Sequence, residues 1–169
     1  MAQMMKQISA ERRWDIATRC ADMLPFAYEQ AFMKIAPEHR KEFDQAEREI
    51  WGQVGSKQGE IARQLGCNVS SAGDVARTFQ EISRVMLGPH LRGRVEKESS
   101  TGATLITEEC PMASNTARFD AEGRHTCQLC GAYGKAAIES LNPDFRVTSD
   151  RHMCMGDPSC RMTIEKSRK

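Results

Sequence analysis

The sequence predicts an α+β fold, with an N-terminal helical layer followed by a small antiparallel sheet with a helix, and a cysteine-rich C-terminal half. Three observations carry this. Residues 8–87 repeat apolar positions at helical spacing, residues 92–109 and 145–166 alternate around turn residues, and five of the seven cysteines fall after residue 109. A chain of 169 residues is long enough for one core but short for two independent ones. A helical region over 1–90 and a cysteine-rich α+β region over 91–169 are therefore expected to pack as one compact unit.

The first helix is read from Ile8, Ala10, Trp14, Ala17, Ala21 and Leu24. The second opens at Pro37 and places Phe43, Ala46, Ile50, Trp51 and Val54 on one face. A third, separate helix is expected over about 56–65, ended by Gly66. Ser70 or Ser71 then caps a fourth through Val75, Phe79, Ile82 and Met86. Beyond Gly88-Pro89, "SSTG" reads as a hairpin turn between strands near 92–98 and 103–109. A helix follows near 124–141, and "FRVTSDRHMCM" and "CRMTIEK" read as two strands joined by the turn "GDPS".

Composition excludes some functions. With 24 Lys+Arg against 23 Asp+Glu there is no global field for nucleic acid or an anionic membrane. "GEIARQLGCNVSSAGDVARTF" looks in part like a helix-turn-helix, but Glu60, Arg63, Asp74, Arg77, Glu81 and Arg84 cancel in charge, and a recognition helix needs cationic contacts to phosphate. No nucleic-acid partner is expected. Charge at Lys6 and at Glu11–Arg13 interrupts any leader-peptide core, and no run approaches the roughly 20 apolar residues of a membrane span. A cytoplasmic location without membrane contact is expected. There thiols stay reduced, and an odd number of cysteines argues against a disulfide framework.

The chemistry concentrates in "HTCQLCGAYGKAAIESLNPDFRVTSDRHMCMGDPSC", residues 125–160. Cys127 and Cys130 form a C-x2-C at a helix start, and Cys154 and Cys160 flank a Gly-Asp-Pro turn. Two pairs arriving from different directions can converge on one ion with sulfur bonds of about 2.3 Å. Zinc or an iron–sulfur cluster are the candidate occupants. Cys110, before Pro111, is a fifth thiol and a candidate nucleophile, with His125 and His152 as candidate proton-transfer groups. Small apolar thiols filling a core, or a dithiol redox pair, are the competing readings. Cys20 and Cys67 read as ordinary thiols of the helical half.

The last sixty residues resemble the L-2-amino-thiazoline-4-carboxylic acid hydrolase-like family through Cys110-Pro111, a cysteine near 127 or 130, Asn142-Pro143 opening a strand, and Gly156-Asp157 ahead of Cys160. The ending, Cys154 then Gly-Asp-Pro-x-Cys and a strand, is similar to the 4-vinyl reductase domain, a small-molecule-binding α+β module. The first resemblance implies a hydrolase acting on cyclic C–N bonds, here a metal- or cluster-binding small-molecule enzyme. The alternative is a non-catalytic ligand-binding or sensing module with a cysteine-held zinc or iron–sulfur centre. Either takes a small-molecule ligand or substrate, and a homo-oligomer is left open.

Overall fold

The computed structural model describes residues 8–167, so Lys6, used above against a leader peptide, lies outside the described residues. Three long helices come first: α1 (Ala10–Ile35), α2 (Arg40–Gln64) and α3 (Ala72–Leu87), with a 3-10 turn at Pro37–His39 joining the first two. Strands β1 (Arg92–Glu96) and β2 (Gly102–Glu109), helices α4 (Pro111–Arg118) and α5 (Gly123–Leu141), and strands β3 (Phe145–Arg151) and β4 (Cys160–Lys166) complete the chain. The fold is α+β. The strands form one antiparallel sheet in the order β1-β2-β4-β3.

Period-two alternation gives the sheet one buried face. Ala103 and Leu105 of β2 pair with Ile164 and Met162 of β4, and these side chains join the core with Val75 and Phe79 of α3 and Tyr133, Ala137 and Ile138 of α5. The intervening Thr104, Arg161 and Thr163 lie on the opposite, polar face with Arg94 and Asp150. α3 is held at its start by a capping box, in which Ser71 Oγ accepts from Asp74 N while Asp74 accepts from Ser71 N. Its Arg77 is engaged by Asp74 and Glu98, which removes a cation from the helix-turn-helix look-alike.

Five local expectations change. There is no separate third helix, because the glycines of "GQVGSKQGE" do not stop α2; Gly55 and Gly59 are buried and pack against α5. A Cβ at Gly55 would overlap the carbonyl oxygen of Tyr133, and one at Gly59 that of Ser140. The buried stripe of α2 is accordingly Glu47, Gly55, Gln58, Gly59 and Ala62, while Ile50 is 56% exposed. In α1 the buried residues are Asp15, Thr18, Asp22, Phe26 and Glu29, and Ala17, Ala21 and Leu24 of the expected apolar face are exposed. An unforeseen helix, α4, follows directly from Pro111 at its first position, where a missing N–H costs nothing. The strand expected to run on through Met155 stops at Arg151 and becomes a 3-10 turn, Met153–Met155.

That turn ends at Gly156, whose φ of 97° is the left-handed conformation glycine tolerates. Asp157 closes it, its Oδ2 accepting from His152 N at 2.8 Å.

Candidate functional site

The C-terminal cysteines are delivered by four elements. Cys110 caps the start of α4 at the end of β2, Cys127 and Cys130 lie one turn apart on α5, Cys154 sits in the 3-10 turn, and Cys160 opens β4. Gly123 lets the turn approach, since a Cβ there would overlap the carbonyl oxygen of Cys154. One helical turn further along α5, Cys127 Sγ lies 2.9 Å from Cys154 Sγ. Cys160 Sγ accepts from Met153 N at 3.3 Å.

That 2.9 Å separation exceeds the roughly 2.05 Å of a disulfide, and all seven cysteines are free. Two sulfurs on one tetrahedral zinc, with bonds of about 2.3 Å, stand roughly 3.8 Å apart. Cys127 and Cys154 are therefore within reach of a common ion. Among the described residues, no third Cys, His, Asp or Glu donor lies within 4.8 Å of both sulfurs, so a closed shell with Cys130 and Cys160 requires side-chain rotation.

Burial raises the pKa of all five thiols, Cys110 to about 11 and Cys154 to about 12. Backbone N–H groups of Ala113 and Met112 partly oppose this at Cys110. Without a cation beside them these groups are neutral thiols near pH 7 and poor nucleophiles. A bound cation reverses the balance by stabilising the thiolates.

Cys110, Cys130 and Cys160 also line an apolar cavity of about 80 Å³ between the helices and the sheet. Trp51 from α2, Phe79 from α3, Leu105 from β2, Met112 from α4, Tyr133 from α5 and Met162 from β4 complete most of its wall. The Trp51 and Tyr133 rings meet edge to face at 6.0 Å. Two polar groups of this wall, Ser83 and Tyr133, are tied to the buried Gln58: its Nε2 donates to Tyr133 Oη at 2.5 Å and Ser83 Oγ at 2.9 Å, and the two hydroxyls share a 2.9 Å bond. Gln58 is fully buried and its Oε1 accepts no hydrogen bond.

His125 and His152 do not join the cysteines in one reactive set. Two residues before Cys127 on a helix means about 200° of rotation, so His125 faces away from that sulfur. It is buried against α1 and α2, with Nε2 2.6 Å from Glu47 Oε2 and Nδ1 3.6 Å from Asp44 Oδ1. The hydrogen bond to Glu47 holds its pKa above the ordinary histidine value. His152 is half-buried and takes part in the turn through its backbone.

Sequence reasoning missed Glu29, Asp44, Glu47 and the aromatic cavity wall. A signal for the acids existed. Asp15, Asp22 and Glu29 recur at intervals of seven along α1, and Glu47 lies four residues from both Phe43 and Trp51, so each follows an inward-facing helical spacing.

Neither a protein-family model nor a curated protein matches the sequence. In fold the chain is similar to a trafficking protein particle complex subunit 3 from Naegleria fowleri, covalently bound to palmitic acid, at 10% identity and a TM-score of 0.56, covering 88% of this chain and 96% of that one. It is also similar to the phenol-responsive sensory domain of the transcription activator PoxR, solved with phenol, at 11% identity and a TM-score of 0.57, covering 86% of this chain and 74% of that one. At these identities the likeness is one of fold.

Proposed function

We propose that this chain is a small-molecule-binding module in which a cysteine-held zinc or iron–sulfur centre, drawn from Cys127, Cys130, Cys154 and Cys160, sits against an apolar ligand cavity. The observation that carries the reading is the sharing of residues: Cys130 and Cys160 belong both to the candidate ligand set and to the cavity wall. A molecule entering the cavity must press on the elements that hold the sulfurs. The resemblance to the 4-vinyl reductase domain supports this reading, and so does the phenol named for the sensory domain of like fold. The ligand suited to such a wall is compact and mainly apolar, with one polar group for the hydroxyls of Ser83 and Tyr133. Met112 and Met162 are flexible enough to enlarge the space.

The hydrolase expectation has less support. Cys110 is held as a neutral thiol, and His125 faces away from Cys127 toward carboxylates. When bound, the metal would supply thiolate charge compensation and tie α5 to the Met153–Met155 turn and β4.

The test joins metal content to ligand binding. Anaerobically prepared protein should carry zinc, or iron with sulfide and a brown colour, and phenol should shift Trp51 emission and raise Tm. Protein that lacks both metals, and whose stability no apolar aromatic compound changes, would remove the proposal.

A further inference from the structure

Glu29 on α1, Glu47 on α2 and His125 on α5 are each buried, at 8%, 9% and 4% exposure, and one donor atom of each lies within 4.8 Å of the other two. Asp44, one turn before Glu47, stands beside them with its Oδ1 3.6 Å from His125 Nδ1. The cation recorded against these acids is Arg40, whose guanidinium approaches Glu29 at 2.8 Å and Asp44 at 2.7 Å. With a neutral imidazole, three carboxylates against one guanidinium leave two negative charges uncompensated. Uncompensated charge away from water is costly, and protonating the imidazole offsets only half of it.

The hydrogen bonding is also incomplete. His125 Nδ1, Asp44 Oδ1 and Arg40 Nη2 are buried without a hydrogen-bond partner, so the approaches of Arg40 are charge-to-charge contacts and not directed bonds. His125, only 4% exposed, thus aims an unpartnered ring nitrogen into a cluster with two negative charges too many. A doubly charged ion on Nε2 would offset the charge and leave the ring proton on Nδ1, facing the equally unpartnered Asp44 Oδ1 3.6 Å away.

We propose that Glu29, Glu47 and His125 form a divalent transition-metal site with nitrogen and oxygen donors, on a different face of α5 from Cys127, with Asp44 as the adjacent carboxylate. An imidazole with carboxylates selects first-row ions such as zinc, manganese, iron or cobalt over magnesium and calcium, which prefer oxygen alone. Bonds of about 2.0–2.2 Å place donors roughly 3.0–3.5 Å apart, so the 2.6 Å contact of His125 with Glu47 must open and the Glu29 donor, within 4.8 Å of both, must close by up to about 1.5 Å. Rotation of the two glutamate side chains provides this. The ion would clamp α1, which supplies only Glu29, to the α2–α5 pair.

Cobalt(II) added to the metal-free full chain distinguishes this site from the sulfur centre, because thiolate ligands add an intense near-ultraviolet charge-transfer band that nitrogen and oxygen donors lack. In the Cys127→Ser/Cys154→Ser variant, one equivalent should still bind, with visible ligand-field bands, no thiolate band and a raised Tm. Glu47→Gln and Glu29→Gln in the otherwise native chain should each lose one equivalent and keep any thiolate band. Metal-free Glu47→Gln should be at least as stable as the native chain, since it removes a charge from an over-acidic cluster. A full cobalt complement and thermal shift in both Gln variants would overturn the proposal, as would the absence of cobalt from a folded double-serine variant. A native chain with ligand-field bands but no thiolate band would sink the cysteine-held centre and leave this site standing.

Discussion

Alanine at Gly55 tests whether the close approach of α2 to α5 assembles this molecule. A methyl group at Gly55 would overlap Tyr133 O and lie 3.1 Å from Tyr133 Cα, both backbone atoms of a packed helix that cannot rotate away. Overpacking of this kind costs up to about 3 kcal/mol, while replacing a mid-helix glycine by alanine returns about 1 kcal/mol of helix propensity. The net loss is about 2 kcal/mol, which for a chain of this size lowers Tm by roughly 4–8 °C. Gly52, three residues earlier on the same helix, is the internal control. Nothing lies within 4 Å of where its methyl group would stand, so Gly52→Ala should raise Tm by roughly 2–4 °C through propensity alone. Differential scanning calorimetry reads both, and Trp51 emission reports whether its contact with Tyr133 has opened. Gly55→Ala as stable as the native chain, beside a stabilised Gly52→Ala, would refute the claim that the helix interface is held by a missing side chain.

Burial lifts the Asp22 carboxyl from 3.8 to about 7, so the folded protein binds a proton there that the unfolded chain releases. Native stability should therefore fall as pH rises from about 4 to 7, and Asp22→Asn should equal the native chain near pH 4 yet exceed it by up to about 4 kcal/mol near pH 8, checked by urea unfolding at both values; an equal difference at both would count against a buried neutral acid. Gly156→Val should destabilise more than Asp157→Asn, because valine is strained at a φ of 97° whereas an asparagine oxygen can still accept from His152 N; equal urea midpoints would contradict this. Serine at Cys127 or Cys154 should lower metal content and Tm together, whereas serine at Cys20 or Cys67 should leave metal content unchanged by elemental analysis; loss of metal from the latter pair would show the sulfur centre to be misassigned.

Order and type of the main elements follow from local chemistry, and here the residues were informative by themselves. Ser71 with Asp74 announces the start of α3, and Val75, Phe79, Ile82 and Met86 mark the face it buries. The alternation around residues 92–109 and 145–166 gives four strands, and short connections pair β1 with β2 and β3 with β4, whereas the β2–β4 pairing that joins the two hairpins spans α4, α5 and β3. Gly156-Asp157-Pro158 specifies a turn through a positive φ and a side-chain acceptor, both properties of those residues alone.

Which face α1 and α2 turn inward was decided by tertiary packing, unlike that of α3. Apolar spacing in α1 points to Ala17, Ala21 and Leu24 on its core face, yet these are exposed and Asp15, Asp22 and Glu29 are buried, because Arg19, Arg40, His90 and His125 meet some of these acids from elsewhere or along the same helix. α2 is rotated likewise because Gly55 and Gly59 permit a backbone approach that Ile50 would prevent. The cavity wall and the meeting of Glu29, Glu47 and His125 draw on residues nearly a hundred positions apart. Periodicity records the neighbours of a residue within its own helix, whereas a site of this kind is set by which helices approach and how closely.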